Sequence, residues 1–354
     1  MTTRVLSQVG RSPRTAADAR VGLFLSRERQ GAVRGSALLA VLWLAAALSA
    51  IAFSVANTVR AETERTSTEV DALRSYYLAV GAIDRAILWV QWGPSYRNPD
   101  GTPRYYQNPM PALQFNFPTG TATTEIIPET SKLNVNGAPP AELLRLLLAL
   151  GAPPDQAELV VQGIVDWRTS SPGGSFTQLD QYYLSLTPSF RARHASFQEI
   201  EELLSIRGVT PDLFYGSYMK DDQGRLIPRA GLRDCLSVYG STSSMDANTV
   251  EPAVMQAIGI SPEVASGIVN LRRSAPLRDM GPLSPFSGGG PGMGRLALTP
   301  SPIVTLRATA RVRLANGQLS DLRRSVSAMV KFLGPEWNPP FHVMRWYDNA
   351  ASVQ

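Results

Sequence analysis

Residues 36–59 read SALLAVLWLAAALSAIAFSVANTV, 24 residues without a charge, and residues 60–92 continue RAETERTSTEVDALRSYYLAVGAIDRAILWVQW with no proline and one glycine, Gly81. At about 1.5 Å per residue, the first stretch is long enough to cross about 30 Å of hydrocarbon as a helix. In the second, Val70, Leu73, Tyr77, Val80, Ile83, Ile87 and Val90 recur at steps of three or four, which predicts one apolar stripe. Gly93-Pro94 ends the pattern. The expectation is a continuous helix over 36–92, greasy all round in its first half and amphipathic in its second.

Upstream, residues 1–35 carry Arg4, Arg11, Arg14, Arg20, Arg27, Arg29 and Arg34 against Asp18 and Glu28, which accounts for the whole formal charge of +5. The side chains after residue 35 sum to zero. A pI near 9.5 therefore reports a basic leader and its cytoplasmic placement, with the remainder of the chain outside, and not a nucleic-acid surface. A cleaved secretory signal is the weaker reading. Ser54-Val55-Ala56 resembles its cleavage site, but the apolar core is too long and no turn follows it. The bland alternative is a plain membrane anchor.

Enzyme chemistry has little to work with. One cysteine, Cys235, excludes an intrachain disulfide and a multi-cysteine zinc site, and the two histidines, His194 and His342, lie far apart. No G-x-S-x-G elbow, P-loop, H-E-x-x-H or paired-cysteine motif is present. Cys235 reads as a small core residue, and Asp166 and Glu201 as helix-face carboxylates. The chain reads as a non-enzyme without a cofactor.

The body contains a repeat. Glu142–Leu159, Glu201–Phe214 and Val254–Val264 each run through an apolar helical stretch to a glycine, two further residues and a proline: Gly151-Ala-Pro-Pro154, Gly208-Val-Thr-Pro211 and Gly259-Ile-Ser-Pro262. Glycine closes the first helix in the left-handed region, Thr or Ser caps the next, and proline suits its first turn. Three helical hairpins are expected. Two share more: Asn134-Val-Asn136 and Asp246-Ala-Asn248 precede them, with asparagine expected as helix cap, and Ile164-Val-Asp-Trp-Arg168 and Ile268-Val-Asn-Leu-Arg272 follow. These hairpins also resemble the helix-hairpin-helix modules of competence DNA receptors, which makes a membrane-tethered DNA-binding protein the alternative function. Such modules use a second glycine to open a phosphate nest; here Pro153, Thr210 or Ser261 occupies that place, and nucleic acid is not expected as a partner.

Short strands are expected at Thr124–Ile127 with Lys132–Val135, and at Cys235–Tyr239. Ile303–Leu314 alternates apolar and polar residues, Asn316-Gly317 follows, and Leu319–Phe332 reads as the partner strand. Ser287–Gly294, SGGGPGMG, reads as a flexible connector. Residues 335–354 read as an aromatic, proline-rich tail without an assigned role.

The N-terminal motif Arg34-Gly35-Ser36-Ala37-Leu38-Leu39 resembles the type III signal peptide of type IV pilins and pseudopilins. That resemblance implies cleavage by prepilin peptidase between Gly35 and Ser36 and methylation of Ser36. Most of that family carry glutamate at the fifth mature residue; here it is Ala40, and its lack marks the minor pseudopilin K. Lys132-Leu-Asn-Val-Asn136, Ile164-Val-Asp-Trp-Arg168, Ser196-Phe-Gln-Glu-Ile-Glu-Glu-Leu203 with Gly208, and Leu236-Ser-Val-Tyr239 with Asp246-Ala-Asn248-Thr249 resemble that family's landmarks in order and spacing.

The resemblance implies an α+β, pilin-like fold, with a long N-terminal helix packed on an antiparallel sheet and a large helical insertion. Its parts would be a leader at 1–35, the helix at 36–92, strands within 93–136, 229–248 and 300–334, the insertion at 137–228, and a second hairpin with linker at 249–299. The implied function is that of a minor pseudopilin at the tip of a type II secretion pseudopilus, in the inner membrane as a single-pass protein with its bulk in the periplasm. The implied partners are the minor pseudopilins I and J, the major pseudopilin and prepilin peptidase. The family's insertion can carry calcium after the D-W segment, but Asp166-Trp-Arg-Thr-Ser-Ser-Pro-Gly-Gly174 offers one carboxylate, whereas calcium takes six or more oxygens. Asp221-Asp222-Gln-Gly224 reads as a solvated turn, and no metal site is assigned.

Overall fold

The computed structural model describes residues 30–350 except 94, 108, 109, 222, 299 and 335. In chain order these form α1 (Gln30–Trp92), β1 (Ala112–Phe117), β2 (Gly120–Pro128), β3 (Leu133–Asn134), α2 (Pro140–Ala149), α3 (Pro154–Arg168) and α4 (Gln178–Leu184). Next come α5 (Pro211–Tyr215), β4 (Ser217–Lys220), β5 (Leu226–Arg229), α6 (Leu232–Cys235), β6 (Leu236–Ser237) and β7 (Met245–Asp246). The last elements are α7 (Pro252–Ala257), α8 (Pro262–Ser274), β8 (Leu296–Ala297), β9 (Ile303–Val312), β10 (Arg324–Phe332) and β11 (Phe341–Tyr347). The fold is α+β as expected. The chain falls into two units, residues 1–67 and 68–354.

In the second unit, a five-stranded antiparallel sheet in the order β1-β2-β9-β10-β11 covers the end of α1. One sheet face carries Phe115, Ile126, Leu306 and Val326, which share a core with Ala79, Ala82, Ile83 and Ala86 of α1. Alanines on the helix let the sheet approach closely, and alternation along β9 puts every second residue into that core. The opposite face is polar: Glu125 and Arg307 sit across from each other in register and pair at 2.6 Å.

The strands expected at Thr124–Ile127 and Lys132–Val135 do not pair with each other. β2 pairs with β1 and β9, whereas β3 pairs in parallel with β6. Cys235 ends the short helix α6 and is not in a strand; Leu236 and Ser237 are. The strand expected from Leu319 begins at Arg324, because residues 313–323 are taken up by a turn with Gly317 in the left-handed region. Trp337–Tyr347, read as a tail, supplies the edge strand β11, consistent with the aromatic residues Phe341, Trp346 and Tyr347.

β2 and β9 are hydrogen-bonded neighbours, with Pro128 opposite Val304. Everything from 129 to 302 is thus an insertion into what would otherwise be a hairpin loop, and its two ends are already held together by the sheet. The expected division into an insertion at 137–228 and a separate hairpin at 249–299 does not hold, since one core runs through both, from Leu133 to Leu296. Nor do strands within 229–248 join the main sheet; β6 and β7 form two small parallel ladders with β3 and β8.

Within the insertion, two halves share one frame of strand, hairpin and hydrogen bonds. β3 leads into α2 and α3 as β7 leads into α7 and α8, and each leading strand is paired in parallel by a later one. Arg168 at the end of α3 donates to the carbonyls of Val135 and Ala138, both at 2.7 Å. Arg272 in α8 donates to those of Ala247 and Val250, at 3.1 and 2.8 Å. Asn136 exchanges two hydrogen bonds with the backbone of Phe197, and Asn248 does so with Leu277. These asparagines are bridges and not the expected helix caps. The Ncap positions of α2 and α7 are Pro139 and Glu251, without a side-chain cap. α2 packs on α7, with Arg145 donating to the Ala257 carbonyl at 2.8 Å.

The third expected hairpin is only half helical. Ile200–Ser205 is a 3₁₀ helix, too short a run to nucleate an α-helix before Gly208. Thr210 then caps α5 as expected. The glycine-rich connector is a fitted strap. Gly290 has φ 122°, and a Cβ there would fall on the carbonyl oxygen of Gly259; a Cβ on Gly292 would lie 2.6 Å from the Ile258 carbonyl oxygen. The strap needs Gly290 and Gly292 because it crosses the backbone of the α7–α8 turn there.

Candidate functional site

Two parts of the molecule answer to the expected function: α1 and the insertion. Helix α1 is long and apolar enough to cross a membrane, and its most apolar window is not buried by the rest of the chain. Trp43 is 73% exposed and Leu38 70%. Gly35 and Ser36 are successive residues of α1, and Ala40 lies one turn beyond Ser36, exposed on the same side of the helix. The described helix includes residues 30–35, ahead of the expected start at 36, and these residues contain no proline to interrupt it. The leader before residue 30 lies outside the described residues.

The predicted stripe on α1 is two surfaces. Its members advance by about 3.3 residues against 3.6 per helical turn, so the stripe winds about 160° round the helix between Val70 and Val90. Ile83 and Ile87 reach the sheet core, whereas Val70, Leu73 and Tyr77 are exposed on the far side. The helix therefore carries an unburied apolar strip beyond its charge-free run.

The hairpin turns are not phosphate nests. Gly151 N–H donates to Leu148 and Ala152 N–H to Leu147; Gly259 N–H donates to Gln256 and Ile260 N–H to Met255. Both are Schellman closures, with the turn donors spent on the helix's own carbonyls. Ser261 N–H goes to the strap carbonyl of Gly289 at 2.9 Å.

The segment after Trp167 does not fit calcium. Asp166 Oδ2 accepts from the Thr177 hydroxyl at 3.3 Å, and the buried Asp180 is served by His194, Arg191 and backbone N–H groups. One free carboxylate edge is not a six-oxygen shell. Asp221 accepts from the backbone of Gln223 and Arg225 in the turn joining β4 to β5; Asp222 lies outside the described residues.

A cleft of about 630 Å³ opens between the polar face of the sheet and the insertion. Glu125 pairs with Arg307, Glu129 with Lys132 and the Thr305 hydroxyl through Oε1 while its Oε2 is buried without a hydrogen-bond partner, and Glu201 with Tyr347, whose phenol is pushed up to about 12 by burial and by Glu201. Burial, and then Asp234, raise the Glu251 carboxyl. Among the described residues, no histidine or cysteine lines the cleft. Cys235 is fully buried, and burial pushes its thiol well above the ordinary range, which leaves it inert.

The sequence reading missed the Asp180–His194 pair and the roles of Arg168 and Arg272. The arginines did leave a signal, the repeated I-V-x-x-R ending; Asp180 and His194 left none, as they occur once.

Residues 128–215 match the family model described as Type II secretion system (T2SS), protein K. The match starts on the last residue of β2, where the insertion begins. A curated relative, the type II secretion system protein K of Pectobacterium carotovorum subsp. carotovorum, is 29% identical over 206 residues, which is 53% of this chain and 61% of the relative. The aligned part thus spans less than two thirds of that relative's length. Among solved structures, a chain of the GspK-GspI-GspJ complex from the enterotoxigenic Escherichia coli type 2 secretion system is similar, at 15% identity and a TM-score of 0.49. The similarity covers 81% of this chain and 100% of that one. Nothing among these relatives supports the DNA-binding alternative. Residues 128–215 are thus similar to protein K of type II secretion systems, the family that the sequence motifs resemble.

Proposed function

We propose that the chain is a minor pseudopilin of a type II secretion system, acting as a structural subunit and not as an enzyme. It is anchored by residues 36–59 in the inner membrane, with residues 1–35 cytoplasmic and the bulk of the chain periplasmic. Prepilin peptidase cuts between Gly35 and Ser36, and Ser36 is methylated. The observation that carries the reading is α1 itself. One helix supplies an unburied apolar run, an exposed strip at Val70, Leu73 and Tyr77, and the core of the sheet.

Helices of that kind associate by lateral packing in lipid and just outside it. Ala40 offers no carboxylate to a neighbour's N-terminal amine, and a subunit without that pairing fits the front of a filament, above its neighbours. The 174-residue span from 129 to 302 inserted between β2 and β9 adds bulk that suits a cap. Its partners would be the I and J minor pseudopilins named with the similar structure.

Mass spectrometry of the N-terminus of the protein expressed with prepilin peptidase is the test. Methylated Ser36 supports the reading, Asn57 would make the protein an ordinary secreted one, and an intact Met1 would make it a plain anchor. Co-purification from membranes with the I and J subunits, lost on Tyr77→Glu, tests the assembly part.

A further inference from the structure

The segment between α3 and Ser196 folds back on the end of α3 around Asp180 and His194. Asp180 is completely buried; its Oδ1 accepts from Ala192 N–H, and its Oδ2 from Thr177 N–H and, at 2.9 Å, from His194 Nε2. The other ring nitrogen of His194, Nδ1, lies 3.1 Å from the Asp166 carbonyl oxygen. A carbonyl oxygen can only accept, and an ionised carboxylate can only accept. Both ring nitrogens must therefore carry hydrogen, which a neutral imidazole cannot provide. The ring sits with 9% of its side chain exposed, on a backbone with φ 49°, the one non-glycine residue at positive φ among those described. Its contacts hold that backbone in place.

The charged groups around the ring are few. Asp180 comes from α4 and Asp166 from α3. Arg191, from the same segment, reaches Asp180 at 3.4 Å, and Arg193 is paired with Glu202 at 3.2 Å. Tyr183 of α4 keeps its proton, its phenol raised by burial. Burial opposes charge on His194, but the hydrogen bond and charge of Asp180, and then the Asp166 carbonyl, outweigh it and raise the imidazole above 6.5. Burial likewise opposes charge on Asp180, and the His194 hydrogen bond with the Thr177 and Ala192 N–H groups outweighs it, lowering that carboxyl.

We propose that His194 is a protonated clasp that holds residues 169–195 on the end of α3, and that losing its proton as pH rises opens this segment. The ring joins three pieces of chain, α3 through the Asp166 carbonyl, α4 through Asp180, and the return strand through its own backbone. Once neutral, it turns a lone pair toward one of two acceptors. Arg191, longer and more exposed, is then the one charged partner left to Asp180 among the described residues. Tyr183 and Phe190 of the segment pack against Trp167 of α3, so opening it uncovers these rings at alkaline pH. Because the folded-state value is raised, the clasp contributes fully below the unfolded value near 6.5 and is lost as pH rises through the folded one. The inference does not rest on the pseudopilin reading.

Hydrogen–deuterium exchange of the full chain in detergent micelles, at about pH 6 and about pH 8 and corrected for intrinsic rates, tests it. Between the two pH values, peptides over 169–195 should lose more protection than those over β9 and β10, the direction expected where the folded value lies above the unfolded one. His194→Gln should show low protection at both pH values, with β9 and β10 unchanged. If wild-type 169–195 follows β9 and β10 at both pH values, or if H194Q keeps the wild-type pH dependence, the proposal fails. Should H194Q not fold, ring-labelled histidine NMR of the wild type decides. The chain has only two histidines, and His342→Gln assigns the signals. Titration of His194 above 6.5 supports the clasp, and titration at or below it overturns it.

Discussion

The two halves of the insertion share a frame and differ in length. From β3 to α3 and from β7 to α8, arginine and asparagine make the same bonds to the same places, yet α2 has 10 residues against 6 in α7, and Pro154 to Ile164 is four residues longer than Pro262 to Ile268. Each arm of the second hairpin has lost one helical turn. Four residues turn the helix about 400°, only about 40° past a full circle, so the buried face stays in phase and Arg272 still reaches its carbonyls. A six-residue helix has little stability of its own. The shortened hairpin instead carries the 281–295 strap: Phe286 lies on Gly267, and Gly289 accepts from Ser261 N–H. Bonds to a frame preserve a repeat where helix length does not, and lost helix is replaced by packing from elsewhere.

The strap offers the hardest way to break the comparison. Gly290→Ala combines a backbone that L side chains avoid with a Cβ on the Gly259 carbonyl, and should cost about 4 kcal/mol in denaturant unfolding of the full chain in micelles. Its effect should open α7 and α8 first, seen as hydrogen exchange there before α2 and α3. Equal loss in both hairpins would mean that the strap supports the whole insertion.

The arginines divide the halves more finely. Arg168 uses two nitrogens, Nη1 for Val135 and Nη2 for Ala138, whereas Arg272 serves both of its carbonyls from Nη1 alone. One ammonium can replace the second arrangement but not the first. Arg168→Lys should cost about 2 kcal/mol and Arg272→Lys less than about 1 kcal/mol, read as shifts of the denaturation midpoint. The reverse order would show that burial beside Asp246 and Glu251, and not fork geometry, sets the requirement at Arg272. Between these in kind, Asn136→Ala and Asn248→Ala each remove a two-bond bridge to backbone and should cost about 1–2 kcal/mol alike.

Much of this was legible from the residues. The helix over 36–92 was, because hydropathy and the absence of breakers act locally. So were the two full hairpins, where glycine, proline and cap residues impose geometry within a few positions. The strand pairings were not: Thr124–Ile127 lies beside Ile303–Val312 across the whole insertion, and no local signal names so distant a partner. Glycines at 288–290 and 292 look alike whether a strap is loose or fitted, since only the crossing backbone of Gly259 decides it. The winding of the α1 stripe was available in its 3.3-residue step, but which side meets the sheet depends on the sheet.

The smallest expected effect concerns the position where the frames differ in charge. Asn134 and Asp246 are equivalent; Asn134 Oδ1 accepts from the N–H groups of Asn136 and Gly137, and the Asp246 carboxylate accepts from the Thr249 hydroxyl. Burial raises the Asp246 carboxyl above its ordinary value, with Thr249 and Arg272 only partly offsetting it. A raised folded-state value favours the protonated form, so the stability it contributes is complete below the unfolded value of 3.8 and is lost as pH rises through the folded one. At neutral pH the second half therefore bears a buried charge that the first half avoids. Asp246→Asn should make the halves alike: stability at pH 7 should rise by less than about 1 kcal/mol, and the difference from wild type should vanish in acid. If the variant is instead less stable at pH 7, the Asp246 charge is needed beside Arg272, and the second frame is held by an ion pair that the first does without.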